Sequence, residues 1–228
     1  MSPREQFERE LQQLSTSVQH MGNMVENQLK LALDAFEALD LEQARLVAAI
    51  DRDVNAQRFA IEETCFKIIV TQQPAARDLR AIIAALNIIV DLERIGDKAK
   101  DLTNTIPDIL AKPSRRRPPE LARMGELVRS MLQQCMEAYA TKSTDLAKQV
   151  PEQADQLDKL FDSTVNYIVE DILKAKKEKK ITAAFAVLRA AQHLDRIGDL
   201  AVNVAERIVY IETGNVEEMK VHVQDSID

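Results

Sequence analysis

The chain has 228 residues, of which five are glycine, seven proline and none tryptophan, and 4% are aromatic. Average usage of about 7% glycine and 5% proline would put roughly sixteen and eleven in a chain of this length. The shortage excludes β-rich folds, which need aromatic and turn-forming residues in quantity, and glycine-rich phosphate loops with them. The charge balance is acidic, 30 Lys and Arg against 37 Asp and Glu for a net −7. That balance argues against nucleic acid or anionic lipid as a partner, because both require phosphates to be neutralised.

An all-α reading follows, and punctuation divides it. A first helix is predicted over residues 5–39, ending where Asp40-Leu41-Glu42-Gln43 reads as a capping box. The second runs to residue 71 and is broken by Gln72-Gln73-Pro74. The third covers residues 75–105 and contains the longest apolar stretch, 81–90. That stretch is too short for the ~20 residues of a bilayer span and reads as core helix. Pro107, Pro113, Pro118 and Pro119, around Ser114-Arg115-Arg116-Arg117, predict a solvated linker without helix. A fourth helix follows over 120–141, and Ser143 takes the N-cap role for a fifth. Pro151 kinks that fifth helix, which ends in the basic stretch 174–180, complementing the helix dipole. Thr182 caps a sixth that stops at Gly214. Three long helices with short connections in each half favour antiparallel packing. The expected organisation is a first three-helix bundle at 1–111, a Pro/Arg linker at 112–118, a second bundle at 119–214 and a tail at 215–228.

Two further readings are local. Residues 1–10 carry alternating charge and no apolar segment, so no signal peptide is expected. Cys65 and Cys135 lack CxxC spacing and read as buried thiols of a reducing cytosol.

The halves match in sequence. Leu92-Glu93-Arg94-Ile95-Gly96-Asp97 returns as Leu194-Asp195-Arg196-Ile197-Gly198-Asp199 at an offset of 102. Met21-Gly22-Asn23-Met24-Val25 returns as Met124-Gly125-Glu126-Leu127-Val128 at an offset of 103. Two ordered matches at nearly one offset indicate an internal duplication, hence two tandem pseudo-symmetric bundles.

The duplicated segments carry an acidic stripe. On the third helix Leu92, Ile95, Ala99 and Leu102 form a core seam, with Glu93, Asp97 and Asp101 stacked beside it at i,i+4 spacing. On the sixth the seam is Leu194, Ile197, Ala201 and Val204, and the stripe is Asp195, Asp199 and Asn203. Like charges at i,i+4 cost roughly 0.2–0.5 kcal/mol per pair, and a mid-helix glycine about 1 kcal/mol. A bound cation would compensate the first cost, and close approach by a neighbour the second. The plainer alternative is solvated surface pairing of Arg94 with Asp97 and Arg196 with Asp199. Oxygen-only donors suit hard cations such as Mg, Mn or Ca, and can hold iron through carboxylates. Helix two places Asp51 and Asn55 beside the seam of Val47, Ile50, Val54 and Ile61. Their counterparts are Ala154 and Asp158, while Asp155 is rotated about 100° away. His193 reads as a surface histidine.

At these residues the sequence resembles the PhoU family, the phosphate-specific transport system accessory proteins of bacteria and archaea. The resemblance spans residues 8–214. It rests on the paired Glu/Asp-Arg-Ile-Gly-Asp segments, on Met21-Gly22-x-Met24-Val25-Glu26, and on Gln73-Pro74-Ala75-x-x-Asp78-Leu79-Arg80. It implies a cytoplasmic negative regulator rather than an enzyme. Such a protein conveys phosphate sufficiency from a phosphate ABC importer to a sensor histidine kinase. The expected partners are therefore the importer ATPase and the kinase, with a homodimer, no nucleic acid and no membrane span. The resemblance also implies metal clusters on E/DxxxD faces, carried here by Glu93, Asp97, Asp101, Asp51 and Asn55 in one half and by Asp195, Asp199, Asn203 and Asp158 in the other. Asn55 and Ala154 depart from that pattern. A metal-free structural scaffold is one alternative. A di-metal carboxylate oxidase is another, but its Glu-x-x-His motif occurs nowhere in the chain.

Overall fold

The computed structural model describes residues 2–111, 117–173, 178–215 and 219. Among these residues there is no strand. The elements are α1 (Pro3–Ala38), α2 (Leu41–Gln72), α3 (Ala76–Thr103), a short α4 (Ile106–Leu110), α5 (Pro119–Thr141), a short α6 (Thr144–Ala147), α7 (Val150–Leu173) and α8 (Glu178–Thr213). Helices α1, α2 and α3 pack as one bundle and α5, α7 and α8 as a second.

Several boundaries differ from expectation for physical reasons. Ser2 and Glu5 form a complete capping box, so α1 starts at Pro3. At α2 only half of the expected box forms. Asp40 accepts from the Glu42 and Gln43 amides at 2.8 and 3.1 Å, but the Gln43 side chain donates to Leu31 O instead of returning to the cap. Helix α4 survives in the proline-rich stretch because Pro107 sits in its first turn, where no N–H is lost, and Ile106 and Ile109 are buried. Pro151 lies in the first turn of α7, so it separates α6 from α7 rather than kinking one helix. Thr182 lies inside α8, which already begins at Glu178. Residues 112–116 of the linker, 174–177 of the basic stretch and most of the tail fall outside the described residues. Arg117 is not solvated linker. It donates to the carbonyls of Phe36 and Glu37 at the end of α1, and its guanidinium lies 5.4 Å from the centre of the Phe36 ring.

The glycine shortage is visible at the helix ends. Helices α1, α2 and α5 close on Leu39, Gln73 and Lys142 in the left-handed region, with φ of 56°, 46° and 55°. For side chains other than glycine that conformation costs roughly 1–2 kcal/mol. Only α8 uses a glycine there: Gly214 has φ +78° and donates to Tyr210 O at 2.9 Å.

The halves join through α3 against α8, the most extensive helix pairing, and through α1 against α5. The α3–α8 pair is antiparallel, with Arg77 at the start of α3 bonded to Glu212 at the end of α8 (3.2 Å). Across the α1–α5 seam a Cβ on Gly22 would lie 2.3 Å from Met136 Cε, and one on Gly125 2.7 Å from Leu33 Cδ2. Gly22 and Gly125 are repeat partners, and so are Leu33 and Met136, so the seam has local two-fold symmetry. Both predicted core seams on α3 and α8 are fully buried, as are Val47, Val54 and Ile61 on α2, whereas Ile50 is only partly covered. Among the described residues no helix is long and apolar enough to cross a membrane.

Candidate functional site

The predicted stripe on α3 divides in two. Each i,i+4 step drifts by about 40° around the helix, so Asp101 has turned well away from Glu93. Asp101 pairs with Lys98 at 2.7 Å, and its charge reaches His193 on α8. His193 is half-buried rather than on the surface. Burial lowers its pKa, while the Asp101 charge acts in the opposite direction. The residue that returns to the line of Glu93 and Asp97 is Lys100, seven positions after Glu93.

Lys100 sits where α2 and α3 face each other. Its Nζ lies 2.5 Å from Asp51 Oδ2 and 2.7 Å from Asp97 Oδ1. Asp51 is only 5% exposed. Its other oxygen accepts from Gln28 Nε2 at 3.2 Å, and the same amide donates to the Gly96 carbonyl at 3.1 Å. Gln28 is fully buried on α1, and its Oε1 has no hydrogen-bond partner among the described residues. A Cβ on Gly96 would come within 2.5 Å of that oxygen, so the mid-helix glycine is what admits Gln28. Burial opposes the Lys100 charge, but its bonds to Asp51 and Asp97 and their negative charge win, and its pKa is raised. At Glu93 it is the uncharged form that is favoured: burial and then the neighbouring Asp97 and Asp51 push its carboxyl above the usual range. Asn55 is half-buried nearby in sequence on α2.

The second half keeps the backbone plan and changes the chemistry. At the repeat offsets Gln28, Asp51 and Lys100 become Met131, Ala154 and Val202, all buried. A Cβ on Gly198 would lie 2.2 Å from Leu157 Cδ2, with Met131 Cε at 3.7 Å. Gly198 thus admits an apolar neighbour where Gly96 admits an amide. Asp195, Asp199, Asn203 and Asp158 are half-buried, and Asp155 is exposed. Asp199 pairs with Arg196 at 3.3 Å, as the surface-pair alternative had it. Its counterpart fails: Arg94 turns to Asp91 (3.4 Å), leaving Asp97 to Lys100. Among the described residues no group of three or more His, Cys, Asp or Glu side chains is gathered closely enough to hold a metal ion.

Sequence reasoning missed Lys100, Gln28 and Asp91. Asp91 is 7% exposed and its pKa is raised by burial, against the charges of Arg94, Arg207 and Arg196. A signal existed for the last two. Gln28 falls on the apolar stripe Met21, Val25, Leu29, Ala32 of α1, and Asp91 falls between Ile88 and Ile95 on that of α3. A polar residue at a core position needs a partner. Both cysteines are buried, with burial raising each thiol to about 12.

Two three-helix bundles joined about a local two-fold, each with an Ile-Gly-Asp segment midway along its third helix packed on a neighbouring helix, define a class of duplicated all-α proteins. Comparison with known proteins identifies the family. The family model described as the PhoU domain matches twice, over residues 18–106 and 121–208, and the chain belongs to the PhoU family. A relative from Pseudomonas putida, a phosphate-specific transport system accessory protein PhoU homolog, is 32% identical, covering 92% of this chain and 82% of its own. The crystal structure of PhoU from Pseudomonas aeruginosa superposes with a TM-score of 0.84 at 31% identity, covering 92% of this chain and all of that one. The phosphate transport system regulatory protein PhoU from Streptococcus pneumoniae gives a TM-score of 0.84 at 28% identity, over 93% and 99%.

Proposed function

We propose that the chain regulates phosphate uptake and phosphate-starvation signalling. It acts as an adaptor between the ATPase of a phosphate ABC importer and a sensor histidine kinase, on the cytoplasmic face of the membrane. It represses the phosphate regulon when phosphate is sufficient. The observation that carries this reading is the double PhoU-domain match across nearly the whole chain, with relatives of similar length named as accessory and regulatory proteins of phosphate transport. A non-enzymatic role follows from the family alone, whose members matched here are named as accessory and regulatory proteins. Deleting the gene should switch on phosphate-scavenging genes in phosphate-rich medium, and unchanged expression would overturn the reading.

The acidic faces bear on how such an adaptor is set. Partner-binding conformations are populated according to their relative free energies, and charge at the α2–α3 and α7–α8 contacts biases them. Replacing Asp97 and Asp199 together by alanine should weaken repression; full regulation by the double variant would separate these faces from signalling. A metal on the second face, held by Asp158, Asp195, Asp199 and Asn203, is part of the same proposal. Such an ion would neutralise negative charge there and would have to draw Asp199 from Arg196. Elemental analysis of protein purified without chelator tests it.

A further inference from the structure

The first acidic face already contains a cation. Lys100 Nζ, at 2.5 and 2.7 Å from carboxylate oxygens of two different helices, stands close to the oxygen distances of 2.0–2.6 Å typical of Mg or Ca. An ion bridging Asp51 and Asp97 would need that same volume, and two positive centres cannot share it. As they stand, these residues do not fit a metal.

The surroundings show that the ammonium is built in. Asp51 is almost completely buried and cannot be solvated, so its charge has to be matched from within the protein. Gln28 anchors its second oxygen, and Gly96 leaves room for Gln28. Where the repeat lacks the acid it also lacks the lysine: Ala154 and Val202 replace Asp51 and Lys100 together. Acid and ammonium are present as a pair in one half and absent as a pair in the other.

We propose that Lys100 is the resident cation of the α2–α3 face. It holds Asp51 to Asp97 in the place a divalent metal would take, this half is assembled without metal, and removal of the ammonium opens a cation site. Asp51 and Asp97 would supply its carboxylates. The fully buried Gln28 Oε1, unpartnered among the described residues, lies beside Gly96 as a further oxygen. The inference concerns the purified chain alone and does not depend on the regulatory reading.

The test is Mn2+ titration of the full chain by calorimetry after chelator treatment. With Lys100 present, Asp51→Asn should leave the amount of Mn2+ bound unchanged. Lys100→Met, which is one atom shorter and removes the charge, should gain a further Mn2+ ion per chain and melt at a higher temperature with Mn2+ than without. Adding Asp51→Asn to Lys100→Met should abolish that gain, and Lys100→Arg should behave as the parent. Loss of Mn2+ from the parent chain on Asp51→Asn would overturn the proposal, as would a folded Lys100→Met with no additional binding. Should Lys100→Met not fold, Lys100→Gln serves in its place, and the Asp51→Asn arm needs no lysine variant.

Discussion

Each half sets a mid-helix glycine of its third helix against a neighbouring helix, α1 at Gly96 and α7 at Gly198, and fills the surrounding contact differently. In the first, a buried glutamine, a buried aspartate and a lysine form a chain of polar contacts ending on Asp97. In the second, methionine, alanine and valine occupy the same positions, and Leu157 packs on the glycine. The fold therefore does not require charge at this contact. A buried ion pair and a well-packed apolar set are of comparable stability, whereas half of an ion pair is not. The first half retains a polar network whose geometry depends on an internal charge, and the second a contact that depends only on shape.

The largest effect should come from breaking the pair. Lys100→Val alone strands Asp51 beside Asp97 and should lower stability by about 2–3 kcal/mol. That is less than the ~3–5 kcal/mol of a fully buried pair, because the Lys100 side chain keeps 28% exposure. Adding Asp51→Ala and Gln28→Met transplants the solution of the second half and should recover most of the loss. Urea midpoints read both steps. A triple variant no more stable than the single one would show that the halves are not interchangeable.

A smaller difference should separate the two glycines. Each alanine substitution gains about 1 kcal/mol of helix propensity and meets a neighbour closer than any real Cβ contact. At Gly198 the neighbour is the tip of Leu157, which can turn aside. At Gly96 it is Gln28, which cannot move without losing its bonds to Asp51 and to the Gly96 carbonyl. Overpacking of this kind costs about 1–3 kcal/mol. Gly96→Ala should therefore destabilise by up to about 2 kcal/mol and Gly198→Ala by about 1 kcal/mol or less, read as a difference in urea midpoint. Equal losses would mean that Gln28 is as free to move as Leu157.

This contrast also marks what the sequence could and could not convey. Periodicity, proline and the duplicated Ile-Gly-Asp segments were enough for the long helices and the two bundles, because each is a local signal repeated over many residues. Gly96 and Gly198 were legible as close approaches, but not what approaches them, since Gln28 and Leu157 come from other helices. The 4-4 spacing of Glu93, Asp97 and Asp101 reads as a straight line down α3. A 4-4 spacing drifts around a helix, so Asp101 belongs to the α8 side and Lys100 to the Asp97 side. The sequence pattern does not reveal the short helices α4 and α6, because Pro107 and Pro151 fall in the first turns of α4 and α7, and proline breaks a helix only from inside.

The smallest predicted effect concerns a pair that the two-fold brings face to face. Glu26 on α1 and Arg129 on α5 occupy equivalent positions of the repeat, and the arginine charge acts on the glutamate across the seam. A perfectly symmetric duplication would oppose like charges there; here the halves have diverged to opposite ones. Burial nevertheless pushes the Glu26 carboxyl above its ordinary 4.5, with Arg129 only partly offsetting it. The folded chain thus holds that proton more tightly than the unfolded chain. Stability is lost as pH rises through the ordinary and then the raised pKa. Glu26→Gln should therefore stabilise the chain at pH 7 by a few tenths of a kcal/mol, within the ~0–1 kcal/mol range of partly exposed charges, and the gain should vanish below about pH 4. Arg129→Glu should act in the opposite sense by restoring like charges, and exchanging the two residues should return the parent stability. If Arg129→Glu leaves the urea midpoint at pH 7 unchanged, the charge divergence at the seam contributes nothing to holding the halves together.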